Sequence, residues 1–566
     1  MLLTTLLTVA LVPSLLSAQV VTRLGTEFQI NTYTTDTQEG PAVAAAGNGN
    51  LIVVWNSYRQ DGSDFGIFGQ RYASNGSPLG TEFPINTYTS SDQRYPAVAS
   101  AIDGDFVVVW GSYGDGSLLG VFGQRFASSG SRLGTEFQVN TYTTGPQGDP
   151  AVAVAGNGDF VVVWDGGGSG ISGQRYASSG SPLGTEFQVN TFSAYGQSFP
   201  AVASASNGDF IAVWVSYGQD GSYDGVFGQR YASGGSPLGT EFQVNTYTTN
   251  FQDVPAVAAA SNGDFVVVWQ SEEGTSLGVF GQRYASSGSP LGTEFDITYT
   301  TASPFPAVAA ASNGDFTVVW ETQDGDRSGV FGQRYTSSGS SLGTEFQVNT
   351  YTASFQGNAA IAAAGNGDFV VVWQSPQDGS AYGIFGQRYG VVGCAPTPLG
   401  SCATPGKSAL LIKDKSPGGA SAKDKLIWKW LNGPPPAQAD FGDPTVTAHY
   451  KFCIYSGTAQ TLAMEAVVPQ ATNWQQLSDK GYKYKDKTGS AAGITQILLK
   501  GGSSAKILVK GKDGNLDLTA STLPLNSSAD VIVQLSNTDN SNCWQGEFPT
   551  TSVKKNTAGE FKAKTP

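Results

Sequence analysis

The sequence predicts an all-β fold: a seven-bladed β-propeller closed by its own N-terminal strand, followed by a small antiparallel β-sandwich or jelly roll. Three observations predict it. One unit recurs seven times at a period of about 53 residues, each unit holds four short strand candidates, and the array opens with a strand that its last unit lacks.

The repeat is marked by three strings. G-Q-R-[YF] carries its arginine at Arg71, Arg125, Arg175, Arg230, Arg283, Arg334 and Arg388. A tryptophan closes an F-V-V-V-W-like run at Trp55, Trp110, Trp164, Trp214, Trp269, Trp320 and Trp373. L-G-T-E-F begins at Leu24, Leu79, Leu133, Leu183, Leu238, Leu291 and Leu342.

In the first unit the strands read Pro41-Ala-Val-Ala, Leu51-Ile-Val-Val-Trp55, Ile67-Phe-Gly-Gln-Arg-Tyr72 and Thr81-Glu-Phe-Pro-Ile-Asn86. The first is built of small residues and suits a crowded axis. The second is apolar on both faces, so neither can meet water. The fourth alternates and suits an outer edge. Asn/Gly turns join first to second and third to fourth. The segment from Leu24 to Asn31 is a fourth strand without a blade, and the array stops after a third strand, Ile384 to Tyr389. Pairing the two closes the ring and removes the open edges. Each tryptophan continues a buried strand and reads as a wedge between blades. Arg71 and Glu82, eleven residues apart across a hairpin turn, read as a structural pair repeated through the array, with Arg388 and Glu27 meeting through closure.

Function on a repeat lies where the copies differ. The loops between second and third strands vary, so the binding surface is expected on that face. Tyr58, Tyr113 and Tyr217 follow Trp-x-Ser there and are candidate sugar platforms. Glu272 and Glu273, like Asp324 and Asp326, are close acidic pairs. Asp61, Asp115, Asp220, Asp324 with Asp326, and Asp378 stand in Asp-Gly loops whose oxygens suit calcium, although a plain Asp-Gly turn explains them without a metal.

Composition narrows the function classes. Residues 1–406 hold 12 Arg, no Lys and 32 acidic residues; residues 407–566 hold 19 Lys, no Arg and 13 acidic residues. This asymmetry marks a domain boundary. The overall charge of −14 argues against nucleic acid as partner. With a single histidine, His449, a His-based triad and a multi-His metal site are nearly excluded. Residues 1–18 read as a secretory signal peptide: their apolar run is too short for a membrane span and ends at Ser17-Ala18. The expected organisation is signal peptide (1–18), propeller (19–390), Pro/Gly/Cys linker (391–406) and β-sandwich (407–566).

In the tail, Cys394–Cys402 and Cys453–Cys543 are the expected disulfides of an exported protein. Lys483, Lys485 and Lys487 alternate along one strand and read as edge protection, or as a contact for an anionic polymer.

The units, such as G-D-F-V-V-V-W (Gly104 to Trp110), G-V-F-G-Q-R-F (Gly120 to Phe126) and L-G-T-E-F-Q-V-N-T (Leu133 to Thr141), resemble a repeat of exported bacterial surface proteins. The tail, with K-L-I-W-K-W (Lys425 to Trp430) and C-W-Q-G-E-F (Cys543 to Phe548), resembles C-terminal β domains of such proteins. The resemblance implies an extracellular or cell-surface setting and carries no catalytic residues. These readings favour a monomeric, secreted or surface-attached adhesion protein binding a glycan or an extracellular protein, and weigh against an enzyme. A propeller glycosidase or lyase, and a passive structural component, are the alternatives.

Overall fold

Phe106-Val-Val-Val-Trp110 is buried along its whole length, and this apolar second strand organises every blade. The computed structural model describes residues 20–565 apart from short internal stretches, the longest being 114–117, 416–423, 469–472 and 517–522. The expected signal peptide lies outside the described residues. The chain divides into two compact units, one of them Arg23–Val391, the other containing Val392–Pro566.

The first unit is seven antiparallel sheets of four or five strands in sequential order. In the first blade the strands are Gln38–Ala45, Leu51–Tyr58, Phe65–Tyr72 and Phe83–Pro84. The last blade, Gly357–Ala363, Phe369–Ser375 and Gly383–Val392, takes its outer strands from the N-terminus. Phe28 pairs with Gly386 and Gln29 with Phe385, and the amides of Leu24 and Ile30 donate to Arg388 and Ile384 carbonyls, each at 2.8 Å. The first strands pack side by side round the axis, Gly357–Ala363 against Gln38–Ala45, so the ring is closed.

The tryptophans are wedges. Trp55 packs with Val370, Val372 and Ile384 of the seventh blade. Trp110 packs with Val54, Ile67 and Ile85 of the first, and Trp164 with Val109, Val121 and Val139 of the second. Each is fully buried, so every blade interface is an aromatic side chain inserted into the preceding sheet.

Among the described residues no ion pair is found between a repeated Arg and the Glu of its own hairpin at Arg71, Arg125, Arg175, Arg230, Arg283 or Arg388, which corrects the sequence reading. Both reach out of their own blade, in opposite directions. The Arg125 guanidinium donates to the Ser178 and Ser179 carbonyls of the next blade, and Arg175 to Ser233 and Gly234, both at 2.7 Å. Glu136 Oε2 accepts from the amide and hydroxyl of Thr87 of the blade before. The hairpin places the two side chains near one another in sequence register, but an unmet carbonyl or amide of a neighbouring turn is a stronger claim on a charged group than an exposed ion pair.

The second unit is a β-sandwich. One sheet has eight strands in the order Trp474–Gln476, Gly481–Lys485, Ile494–Lys500, Lys506–Lys512, Lys425–Leu431, Lys407–Lys413, Glu560–Lys564, Val553–Thr557. The other has four, in the order Thr461–Val468, Tyr450–Ser456, Val531–Asn537, Cys543–Phe548. Trp428, Trp430, Tyr450, Phe452, Ile507 and Leu535 are among the buried side chains between them. Gly481–Lys485 lies between two strands, so edge protection is not what Lys483 and Lys485 provide.

The disulfides are Cys394–Cys453 and Cys402–Cys543, not the pairing expected. Cys453 and Cys543 stand on strands separated by Val531–Asn537, roughly 9–10 Å apart at the usual strand spacing, beyond the reach of a disulfide. The Pro/Gly segment instead runs against this sheet. The Cys394 amide donates to Glu465 at 2.7 Å, and Gln534 bonds the Leu399 amide and carbonyl at 3.0 and 2.9 Å.

Candidate functional site

On the variable face the first strand of every blade but the sixth begins with a register slip, as between Glu39 and Ala42 or Asp253 and Ala256. Every blade has one residue of left-handed backbone there. It is Gly40 (φ 59°) in the first blade, then Tyr95 (58°), Asp149 (46°), Phe199 (50°), Val254 (49°), Phe305 (39°) and Asn358 (50°). For aromatic and β-branched residues this conformation costs on the order of 1–3 kcal/mol each. These positions ring the axial mouth because they start the innermost strands. The residues around them repeat (Gln before in all but the sixth copy, Pro-Ala-Val after in all but the seventh), while the rim residues vary, only Phe199 and Phe305 being alike.

The rim carries its titratable groups unevenly. Between the fourth and fifth blades, Asp253, opposite Gln270, lies within electrostatic reach of Asp224, which opens the third strand of the fourth blade opposite Tyr217. Burial, and then the Asp224 charge, push the Asp253 carboxyl up to about 6, against a hydrogen bond from Gln270 that pulls it down. Asp224 is itself raised, by burial and then by Asp220. Two aromatic pairs flank these carboxylates. Tyr223 and Phe251 stack at 4.8 Å, and Tyr195 meets Tyr217 edge-on at 5.9 Å. All four rings are 40–57% exposed, an unusual density of solvent-facing aromatic surface.

Elsewhere on the rim, Arg94 stands 4.0 Å from Glu39 and 3.4 Å from Asp92, with its guanidinium 4.0 Å above the Phe65 ring. Asp149 and Asp165 are both raised, chiefly by burial. Burial pushes Glu321 up to about 7, although the Asn358 amide donates to it at 2.6 Å.

Of the residues singled out from sequence, Tyr217 belongs to this crevice. Tyr58 is half-buried, packed on Phe65 at 4.9 Å under Arg59. Tyr113 is exposed. Glu272 and Glu273 end the second strand of the fifth blade, and Glu273 is raised by burial and then by Asp296 and Glu294. Asp61, Asp220, Asp324 and Asp378 each fold back over the glycine that follows their loop. A Cβ at Gly66, Gly225, Gly329 or Gly383 would come within 2.4–2.7 Å of the carboxylate oxygen. Asp61 and Asp220 also cap their own turns, accepting from the Ser63 and Ser222 amides. Among the described residues no group of three or more His, Cys, Asp or Glu is placed to hold a metal ion. At these four residues the geometry is that of a clamped turn. Asp115 and Asp326 lie outside the described residues. Sequence reasoning missed Asp224 and Asp253. The position of Asp253 carries Glu39 in the first copy and Arg94, Gly148, Ser198, Pro304 or Gly357 in the others, so the acid there did not single out this blade in the sequence.

The opposite face holds recurring cavities between blades, about 360 Å³ beside Arg125 and about 310 Å³ beside Arg230. Their walls are the repeated arginine, turn serines and core phenylalanines that the blade interface itself requires, and no exposed aromatic pair lines them.

No protein-family model matches the chain, and no curated protein is similar to it. Solved structures are. A protein of unknown function from Dyadobacter fermentans is 10% identical, covering 65% of this chain and 98% of its own, with a TM-score of 0.41. The polysaccharide lyase Uly1 is 11% identical over 65% and 99%, also at 0.41. A GH43 endo-arabinanase from Bacillus licheniformis is 14% identical over 46% and 99%, at 0.28. At these values the likeness is one of fold. Several of these neighbours are carbohydrate-active enzymes, so the expectation that weighed against an enzyme does not stand, and the likeness itself gives this chain no activity. Among the described residues no helix is long and apolar enough to cross a membrane.

Proposed function

We propose that the propeller is a polysaccharide-cleaving enzyme whose site is the crevice between the fourth and fifth blades on the variable face. The observation that carries this reading is the Asp224–Asp253 pair between two exposed aromatic platforms. Like charges in a shared, partly buried site keep one carboxyl protonated at a pH where the other is ionised, the division of labour that glycoside cleavage needs. Asp253 supplies the proton to the leaving glycosidic oxygen. Asp224 either takes a proton from the water that attacks the anomeric carbon on the opposite side of the bond, or attacks that carbon itself to form a glycosyl ester that water then hydrolyses. The ring faces of Tyr223 and Phe251, and of Tyr195 and Tyr217, hold successive sugar rings and so position the bond. The resemblance of the repeat to exported bacterial surface proteins supports an extracellular polymer as substrate.

The test is release of reducing ends from a panel of plant and bacterial polysaccharides. Asp253→Asn should lower kcat by about 10²–10⁴ with little change in KM, and Tyr223→Ala should raise KM. Asp224→Asn, assayed for its residual activity, should move the falling limb of the pH profile to lower pH, because the Asp253 carboxyl loses a raising charge. Binding of a polysaccharide with no turnover by the wild type would reduce the crevice to a lectin site. Absence of both binding and turnover would refute the proposal.

A further inference from the structure

Alternation along the eight-stranded sheet sends Leu410, Leu426, Trp428, Trp430, Ile507 and Val509 into the core and their neighbours to the other face. On that outer face, Lys425 stands between Lys413 and Lys512. Two residues along, Ile427 stands between Leu411 and Lys510. Lys429 follows between Ala409 and Leu508, and Leu431 between Lys407 and Lys506. The rows continue outward. Lys562 and Lys564 lie opposite Leu411 and Ala409, and Lys500 lies opposite Lys506. Lys483 and Lys485 lie opposite Leu498 and Gln496. Twelve of the chain's 19 lysines therefore share one face, all half-buried or exposed. The acid among them, Glu560, is already held by Lys413 at 3.5 Å and Lys555 at 2.8 Å.

We propose that this face docks a linear anionic polysaccharide. Six strands bearing lysines about 4.8 Å apart, with about 6.7 Å between same-face residues along each strand, make a grid of positive charge. Uncompensated, that grid costs self-repulsion, and it fits a polymer that repeats a negative group along its length. The choice of lysine matters. The unit has no arginine, so the face offers point charges without the planar fork that selects one phosphate or carboxylate geometry. Ile427, Leu411, Leu498 and Leu508 fill the centre between the lysine stems, half-buried or buried rather than protruding. That surface suits the C–H faces of sugar rings and gives a lipid bilayer nothing to anchor on. Without an exposed aromatic ring on the face, single-stranded bases have no platform.

The measurement is binding of polygalacturonate to the full chain at 50 and 200 mM salt, with neutral dextran, anionic phospholipid vesicles and a DNA duplex alongside. Polygalacturonate should bind, lose at least about tenfold in affinity across that salt range, and be preferred over the other three. Lys429→Glu with Lys510→Glu should weaken it at least tenfold at unchanged melting temperature. Lys451→Glu, on the smaller sheet, should change it less than about twofold. Should the double variant unfold, Lys429→Gln with Lys510→Gln replaces it. The proposal is overturned by no binding, by equal loss in the Lys451 variant, by preference for vesicles or DNA, or by salt-sensitive self-association in place of polymer binding. Because polygalacturonate need not be a substrate of the propeller, this outcome is independent of turnover.

Discussion

Glu27 Oε2 accepts hydrogen bonds from both the amide and the hydroxyl of Thr350, at 2.7 and 2.8 Å. The two residues are 323 apart in sequence, yet the contact is the same one that Glu82 makes with Thr32 between ordinary neighbours. The ring is therefore sealed by a standard blade interface, and its N-terminal strand is a working part of the last blade. Glu27→Ala should cost about 1–3 kcal/mol. Deleting residues 24–32 should lower the melting temperature sharply, and calorimetry showing an unchanged value would contradict the closure.

Trp110 is fully buried between the first and second blades, whereas Tyr113, three residues on, is 47% exposed. Trp110→Ala should destabilise by about 3–5 kcal/mol through the cavity left behind. Tyr113→Ala should stay within about 0.5 kcal/mol. Denaturant melts of the pair check whether the repeated aromatics divide into wedges and surface groups as described.

Glu321 gives a pH-dependent term. Its folded carboxyl titrates near 7, above the ordinary 4.5, so the folded state binds the proton more tightly than the unfolded chain. The contribution is fully present below the unfolded value and is lost as pH rises through about 7, on the order of 3 kcal/mol in all. Glu321→Gln should flatten the fall in stability between pH 5 and 8. Melting curves across that range with equal slopes for both proteins would contradict it.

The disulfides close loops of 59 and 141 residues. A non-reducing peptide map should link Cys394 to Cys453 and Cys402 to Cys543. Cys402→Ser with Cys543→Ser should cost on the order of 4–5 kcal/mol in the chain-entropy model. A Cys394–Cys402 peptide would refute the arrangement.

Much of the fold was legible because it is repeated. Seven copies of an apolar strand ending in tryptophan fix the sheets, their order and the wedge, and the orphan segment from Leu24 fixes the closure. What lay between blades was not legible. The Arg125 and Glu136 partners belong to neighbouring copies, and in a repeat every copy offers the same partners, so the sequence cannot say whether a bond stays within its blade. The candidate site was hidden for a related reason. Asp224 and Asp253 belong to different blades, and their meeting depends on the slip at Val254 that turns the rim. Tyr217 was found because it sits in a variable loop; Tyr223 and Phe251 were missed because nothing local distinguishes a platform from a loop aromatic. The basic sheet face needed the strand order, which brings Lys425 between Lys413 and Lys512.

The central claim is that saccharide is held and cut where Asp224 and Asp253 meet. A crystal structure of Asp253→Asn with an oligosaccharide from its best polymer tests it most directly. The account predicts sugar rings lying on Tyr223 and Phe251, with a glycosidic oxygen within hydrogen-bond reach of residue 253. Sugar bound instead in the cavities beside Arg125 and Arg230 on the opposite face, with the crevice empty, would contradict it.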